Sequence, residues 1–149
     1  MARGDTPLDA SRLTHLVGYA ATRASVQLKR SFKRHLGPLQ LKAVEFSVLM
    51  LVAANEQVNQ KQLGQALDVS PPNMAVTLDR MVERGWVQRV RSSDDRRAQL
   101  IQFTPAGRLL AARAEKIAAT MEDDALQVLS ARERATLIRL LMRVAVGPG

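Results

Sequence analysis

Residues 70–85, SPPNMAVTLDRMVERG, read as a helix punctuated at both ends, and directly after it the apolar period changes from helical to alternating. A bounded helix that runs straight into a hairpin restricts the fold more than any other feature of this chain. Ser70 caps the helix, because a serine oxygen accepts a hydrogen bond from a free N–H of the first turn. Pro71 takes the first helical position, where a missing N–H costs nothing. Gly85 closes it, where a left-handed residue is favoured. Met74, Thr77, Leu78 and Met81 recur at helical spacing and make a buried face. The opposite face carries Pro72, Asn73, Val76, Asp79 and Arg80. One cation, one amide and small apolar groups suit a groove of DNA better than water alone, although an ordinary amphipathic surface helix has the same spacing.

After Gly85, residues 86–91 (WVQRVR) and 98–103 (AQLIQF) alternate between apolar and polar, as half-buried strands do. Residues 92–97 between them (SSDDRR) are polar and turn-forming, so the pair reads as a β-hairpin with a charged tip. Trp86 is expected in the core at the start of this hairpin. Before the capped helix, residues 59–67 read as a short helix. Asn59 and Gln62 stand at capping-box spacing, and Leu63, Ala66 and Leu67 form its buried edge. Asp68 and Val69 then connect it tightly to Ser70, which gives a helix-turn-helix pattern.

The flanks are helical too. Residues 9–36 carry Leu13, Val17, Ala20, Ala24, Leu28 and Phe32 as an apolar stripe, ended by Gly37 and Pro38. A helix of that length extends beyond one small domain, and a partner subunit is the expected cover for its stripe. Residues 41–54 are apolar almost all round and read as the central buried helix. Thr104 and Pro105 start a helix expected to run to about residue 129, with Leu109, Ala114, Ile117 and Met121 on its buried face. Ser130 and Glu133 form a capping box for a last helix that buries Leu137, Leu140, Leu141 and Val144.

The fold expected is mainly α with a small β-hairpin wing. Residues 39–103 make a winged helix-turn-helix DNA-binding module between terminal helices, 9–36 and 104–146, in one compact chain. A formal charge of +8 and a pI of about 11.0 give a field that attracts polyanions. The chain has no cysteine, which removes disulfides, thiolate metal sites and cysteine redox switches. No apolar run approaches the roughly 20 residues that span a bilayer, and the first residues lack the apolar core of a signal peptide, so a cytoplasmic protein is expected. No helix pairs a broad apolar face with a uniformly cationic one, which disfavours a membrane-surface role.

From here the sequence resembles the MarR family of bacterial transcription regulators. The resemblance runs from about residue 10 to 145. Residues 95–107, DRRAQLIQFTPAG, match the family's D-x-R-x-x-x-L-x-L-T-x-x-G pattern except that Phe103 replaces a leucine. Residues 78–87, LDRMVERGWV, resemble the end of the family's recognition helix. The resemblance implies a homodimer joined through the terminal helices, with a recognition helix from each subunit in successive major grooves and the wings in flanking minor grooves. It implies a pseudo-palindromic site in double-stranded DNA, with half-sites about 10 bp apart. It also implies, for many members, a small aromatic or phenolic acid that releases the DNA.

The DNA-contacting residues expected are Ser70, Pro72, Asn73, Val76, Arg80, Arg96 and Arg97. Asn73 would pair with an adenine edge and Val76 with a thymine methyl, at a position where many relatives carry a polar or basic residue. Arg80 would meet a phosphate or a local carboxylate. Arg96 or Arg97 would enter a narrow A·T-rich minor groove, with Asp95 supporting the tip; a solvated turn with ion pairs worth under ~1 kcal/mol is the alternative. His15, Tyr19 and Arg23 follow at spacings of four, and on one helix they would climb ~12 Å at 1.5 Å per residue. An imidazole, a phenol and a cation beside an apolar stripe suit an aromatic carboxylate, or else simply border a dimer interface. The two histidines, His15 and His35, lack companions for zinc, so neither a metal nor a cofactor is expected. No nucleophile–base arrangement or phosphate-binding glycine loop is present in the sequence, so an enzyme is not expected. A dimeric repressor released by a small aromatic acid is therefore the reading. The alternative is an architectural DNA-binding protein with little sequence preference and no effector.

Overall fold

Four helix starts carry the side-chain caps that the sequence places there. The Asn59 side chain accepts from the Gln62 N–H (2.9 Å) while the Gln62 side chain accepts from the Asn59 N–H (3.0 Å). Ser70 Oγ accepts from Asn73 N–H (3.4 Å), and Thr104 Oγ1 from Gly107 N–H (3.0 Å). Ser130 Oγ accepts from Glu133 N–H (3.2 Å), and the Glu133 carboxylate accepts in return from Ser130 N–H (2.8 Å). Each cap contributes about 1 kcal/mol.

The computed structural model describes residues 6–95 and 98–149. Its elements are α1 (Val17–Leu36), a single 3-10 turn (Gly37–Leu39), α2 (Ala43–Ala54), α3 (Gln60–Leu67), α4 (Pro71–Glu83), β1 (Val87–Arg91), β2 (Gln99–Phe103), α5 (Pro105–Ala118), α6 (Asp123–Leu126) and α7 (Ala131–Val146). The fold is the mainly helical, winged class expected. The chain divides into two compact units, Phe32–Met121 and the described residues up to Ser31 together with Glu122–Gly149.

In the first unit the central helix is α2. Its Val48, Leu49 and Val52 are buried with Leu36, Leu63, Met74, Leu78, Met81, Trp86, Ile101, Ala111 and Ala114. Phe32 meets Phe46 edge-on at 5.8 Å. β1 and β2 pair antiparallel, with Val87 opposite Phe103 and Arg91 opposite Gln99. A short bridge was not visible in the sequence: Ile101 N–H donates to Val58 C=O (2.7 Å), and Asn59 pairs with Leu100. The hairpin is thereby fastened to the start of α3. α5 is also part of this unit, packed on α2 and β2, although the sequence groups it with the terminal helices.

Where hairpin and α5 meet, the backbone comes very close. Thr104 Oγ1 donates to Gly85 C=O (2.5 Å), and Thr104 N–H donates to Trp86 C=O (3.1 Å). A Cβ at Gly107 would overlap the Trp86 carbonyl, so the threonine and glycine of the T-x-x-G pattern are one joint. Gly85, at φ +75°, takes the left-handed conformation that ends α4.

Several expectations are corrected. α1 starts at Val17, not at residue 9, because the chain before it is occupied by turns. Asp9 accepts from Ser11 N–H (2.9 Å), and Ala10 C=O accepts from both Leu13 and Thr14. The helix after Thr104 ends at Ala118; α6 follows, and Arg134 binds Asp123 (2.9 Å) and Glu122 (3.6 Å) there. Leu109 is 75% exposed; Ala114, Ile117 and Met121 pack inward as expected, joined by Gly107, Leu110 and Ala111. In α3, Gly64 rather than Ala66 faces inward, since a Cβ there would sit 3.0 Å from Val69 C=O.

In the second unit α7 leaves Leu137, Leu140, Leu141 and Val144 exposed, with Ile138 and Met142, so the face expected to be buried stands open in the single chain. On α1 and before it, Leu13, Val17, Ala20 and Ala24 are exposed likewise. No single helix among the described residues is long and apolar enough to cross a membrane.

Candidate nucleic-acid interface

α4 turns Met74, Leu78 and Met81 into the core, with Thr77 half-buried beside them, and leaves Pro72, Asn73, Val76 and Asp79 exposed. Its first turn has an unusual donor inventory. Pro71 and Pro72 have no N–H, Asn73 N–H is held by Ser70 Oγ, and Met74 N–H by Ser70 C=O (2.9 Å). Of the four N–H groups that a helix start normally leaves without an intrahelical partner, those of Ser70 and residues 71–73, the two prolines remove two and Ser70 Oγ holds that of Asn73. What this end of α4 presents is then mostly side chain: the Ser70 hydroxyl, the Pro72 ring, the Asn73 amide and, one turn on, Val76, which is 60% exposed.

Farther along, the charges of α4 are bound by its neighbours. Asp79 receives Arg89 Nη2 of β1 at 2.7 Å. A bare carboxylate on this face would repel phosphate, and the pairing neutralises it while fixing helix to wing. Arg80 Nη2 lies 3.7 Å from Glu45 Oε1 of α2. Of the two partners expected for Arg80, a phosphate or a local carboxylate, the free chain supplies the carboxylate. Arg84, at the end of α4, stacks 3.9 Å from the centroid of the Trp86 ring and donates to Gln40 C=O (2.7 Å) and Gln40 Oε1 (3.2 Å). Trp86 is in the core as expected, and this arginine covers one face of its ring.

The sequence reading missed Glu45, Gln40 and Arg89. A signal existed for two of them. Glu45 is a lone carboxylate in an otherwise apolar helix, and Arg89 shares the inward side of its strand with Val87, so each needed a partner.

At the hairpin tip Ser92 is buried, and its Oγ accepts from the N–H groups of Asp94 (3.2 Å) and Asp95 (3.4 Å). Asp95 C=O accepts from Ala98 N–H (3.0 Å), so Asp95 helps hold the turn through its backbone. Arg96 and Arg97, expected as the minor-groove residues, lie outside the described residues.

In the other unit, the expected ladder of His15, Tyr19 and Arg23 is shorter than a single helix would make it. Tyr19 and Arg23 stand one turn apart on α1, half-buried and exposed respectively. His15 is exposed in the turn before the helix starts. Among the described residues no group of three or more His, Asp or Glu could hold a metal ion.

Residues 39–98 match the model of the MarR family. The chain is 28% identical to the multiple antibiotic resistance protein MarR of Escherichia coli K12 over 89% of its own length and 88% of that protein. The transcriptional repressor CouR bound to a 23-mer DNA duplex is similar in structure, with a TM-score of 0.87 and 35% identity over 94% of this chain and 99% of CouR. CouR bound to p-coumaroyl-CoA is similar as well, at a TM-score of 0.85 and 33% identity over 95% of this chain and all of that one.

Proposed function

This chain belongs to the MarR family of transcription regulators, and from that premise we propose that it is a homodimeric, sequence-specific repressor that leaves its operator when a small aromatic or phenolic acid binds. The observation that carries the DNA reading is the exposed front of α4, held in one compact unit with the wing by the Asp79–Arg89 pair. Ser70, Pro72, Asn73 and Val76 contact the major groove, Arg80 meets a phosphate beside it, and Arg96 or Arg97, supported by Asp95, reaches the minor groove. The similarity to DNA-bound CouR supports this assignment.

The dimer reading rests on α7. Leu137, Ile138, Leu140, Leu141, Met142 and Val144 form an exposed apolar face that water does not favour. These side chains are 39–68% exposed, so covering them gains a part of the about 1.5–3 kcal/mol that full burial of each gives, which favours pairing with a second copy. In this reading 9–36 and 104–146 serve dimerisation and 39–103 serves DNA.

The effector reading rests on Tyr19 and Arg23, with His15 nearby in sequence: a phenol and a guanidinium suited to an aromatic acid. It draws support from CouR, whose ligand is the thioester of a phenolic acid. An effector shifts DNA affinity only by its unequal affinity for the two states of the dimer. The test is titration of a fluorescent operator duplex with purified protein, followed by p-coumarate and p-coumaroyl-CoA. The proposal expects two chains per duplex and release by one of the two ligands. One chain per duplex refutes the dimer, and binding that neither ligand changes refutes this effector class.

A further inference from the structure

Glu45 is a charged residue in the core, 1% exposed, on the central helix beneath the recognition helix. Its Oε2 accepts from Lys42 N–H at 2.9 Å and so caps α2. Its Oε1 is buried without a hydrogen-bond partner, and the group facing it is the Arg80 guanidinium at 3.7 Å. Arg80 is 40% exposed along its side chain, and it lies one turn beyond Val76 and two beyond Asn73. A buried carboxylate whose cation departs is left as an uncompensated charge, which is far more costly than the loss of a surface ion pair.

We infer that Glu45 is a positioning residue for operator recognition: it tethers Arg80, so that this arginine meets the DNA backbone from one fixed place on the recognition helix. This rests on the reading of α4 as the DNA-contacting helix. Nη2 faces the buried carboxylate, and the remaining guanidinium donors are left for a phosphate. Arg80 cannot swing to a more distant phosphate without stranding Glu45. The tether therefore limits the registers in which α4 can sit in the groove, and the register fixes which bases meet Asn73 and Val76. Glu45 acts on discrimination between sequences alone, and Arg80, the tethered group, acts both on discrimination and on affinity for any sequence.

The test uses full-length protein and two duplexes, one carrying a site selected from random sequence and one with that site scrambled. E45Q keeps a side-chain oxygen to accept from Lys42 N–H and replaces Oε1 by an uncharged NH2 group that cannot hold the Arg80 guanidinium. It is expected to lower the ratio of the two affinities by about five- to tenfold, with the scrambled duplex bound as well as by the parent. R80A is expected to weaken both duplexes and to reduce the slope of log affinity on log salt by about one, the mark of one lost phosphate contact. The double variant E45Q/R80A should match R80A. A parental ratio for E45Q, or a double variant that discriminates less than R80A, overturns the inference. If R80A leaves both affinities and the salt slope unchanged, it is the placing of Arg80 against DNA that fails. The scrambled-duplex affinity of E45Q separates lost positioning from lost folding, because an unfolded variant binds neither duplex.

Discussion

Truncation of Val76 to alanine, read against removal of thymine methyl groups from the DNA, tests how the start of α4 recognises sequence. The four N-terminal positions of that helix offer no free backbone donor, and its exposed front is Pro72, Asn73 and Val76. An apolar contact is what Val76 can make, and the thymine C5-methyl is the apolar group of the major groove. Replacing one contacted thymine by deoxyuracil removes one methyl, worth about 0.8 kcal/mol, or roughly fourfold in affinity. V76A removes two methyl groups from a side chain that is 60% exposed in the free protein. Partial burial in the complex puts its loss near 1 kcal/mol, about fivefold. Anisotropy titrations of parent and V76A on an operator and on versions with each thymine replaced singly give the coupling directly. At one position per half-site the two losses should be less than additive, since either change removes the same contact. If V76A loses the same factor on every duplex, with each uracil change strictly additive, methyl readout by Val76 is refuted.

Three further outcomes are expected. N73A should relax preference at one base pair of each half-site by ~1–3 kcal/mol, read by competition among single-base variants, and equal ranking of all sequences by parent and variant contradicts the assignment. G107A drives a Cβ into the Trp86 carbonyl, so the joint of wing and α5 must shift at a cost of about 3 kcal/mol and a fall in Tm of roughly 6–12 °C; an unchanged Tm would show that the joint is not closely packed. The Glu133 carboxyl is held below its ordinary 4.5 chiefly by the Ser130 N–H that it accepts, so its contribution is complete above that pH and is lost as the pH falls through the lowered value. E133Q should accordingly flatten the acid limb of the Tm profile below about pH 4.5, and an identical limb in both proteins would remove that cap from the account.

The parts of this fold that were legible in the sequence are those decided within three or four residues. Asn59 with Gln62, Ser70, Thr104, and Ser130 with Glu133 each make the cap that their spacing implies. The change of period after Gly85 likewise yields the hairpin. Two helix limits that lack such a cap lie elsewhere than the sequence implies: the Asp9 turn delays α1 to Val17, and α5 stops at Ala118. Contacts between distant residues were not legible, because no local pattern connects Arg84 to Gln40, 44 residues away, or Glu45 to Arg80. Periodicity told that the α7 leucines form one face but not what covers it, and in the single chain that face is open. For the candidate site, Pro72, Asn73, Val76 and Asp79 are exposed on α4 as the sequence implies, whereas Arg80 is half-buried. The sequence did not reveal that Asp79 and Arg80 are already paired before any DNA arrives.

The central claim, a dimer that reads sequence through α4, is tested most directly by selecting duplexes from a random pool with purified protein at about 0.15 M salt. The account predicts a palindrome whose half-sites lie about 10 bp apart, one turn of the duplex. Enrichment of A·T content alone, with binding that vanishes as salt rises, would contradict it and identify a protein that binds DNA by charge and shape.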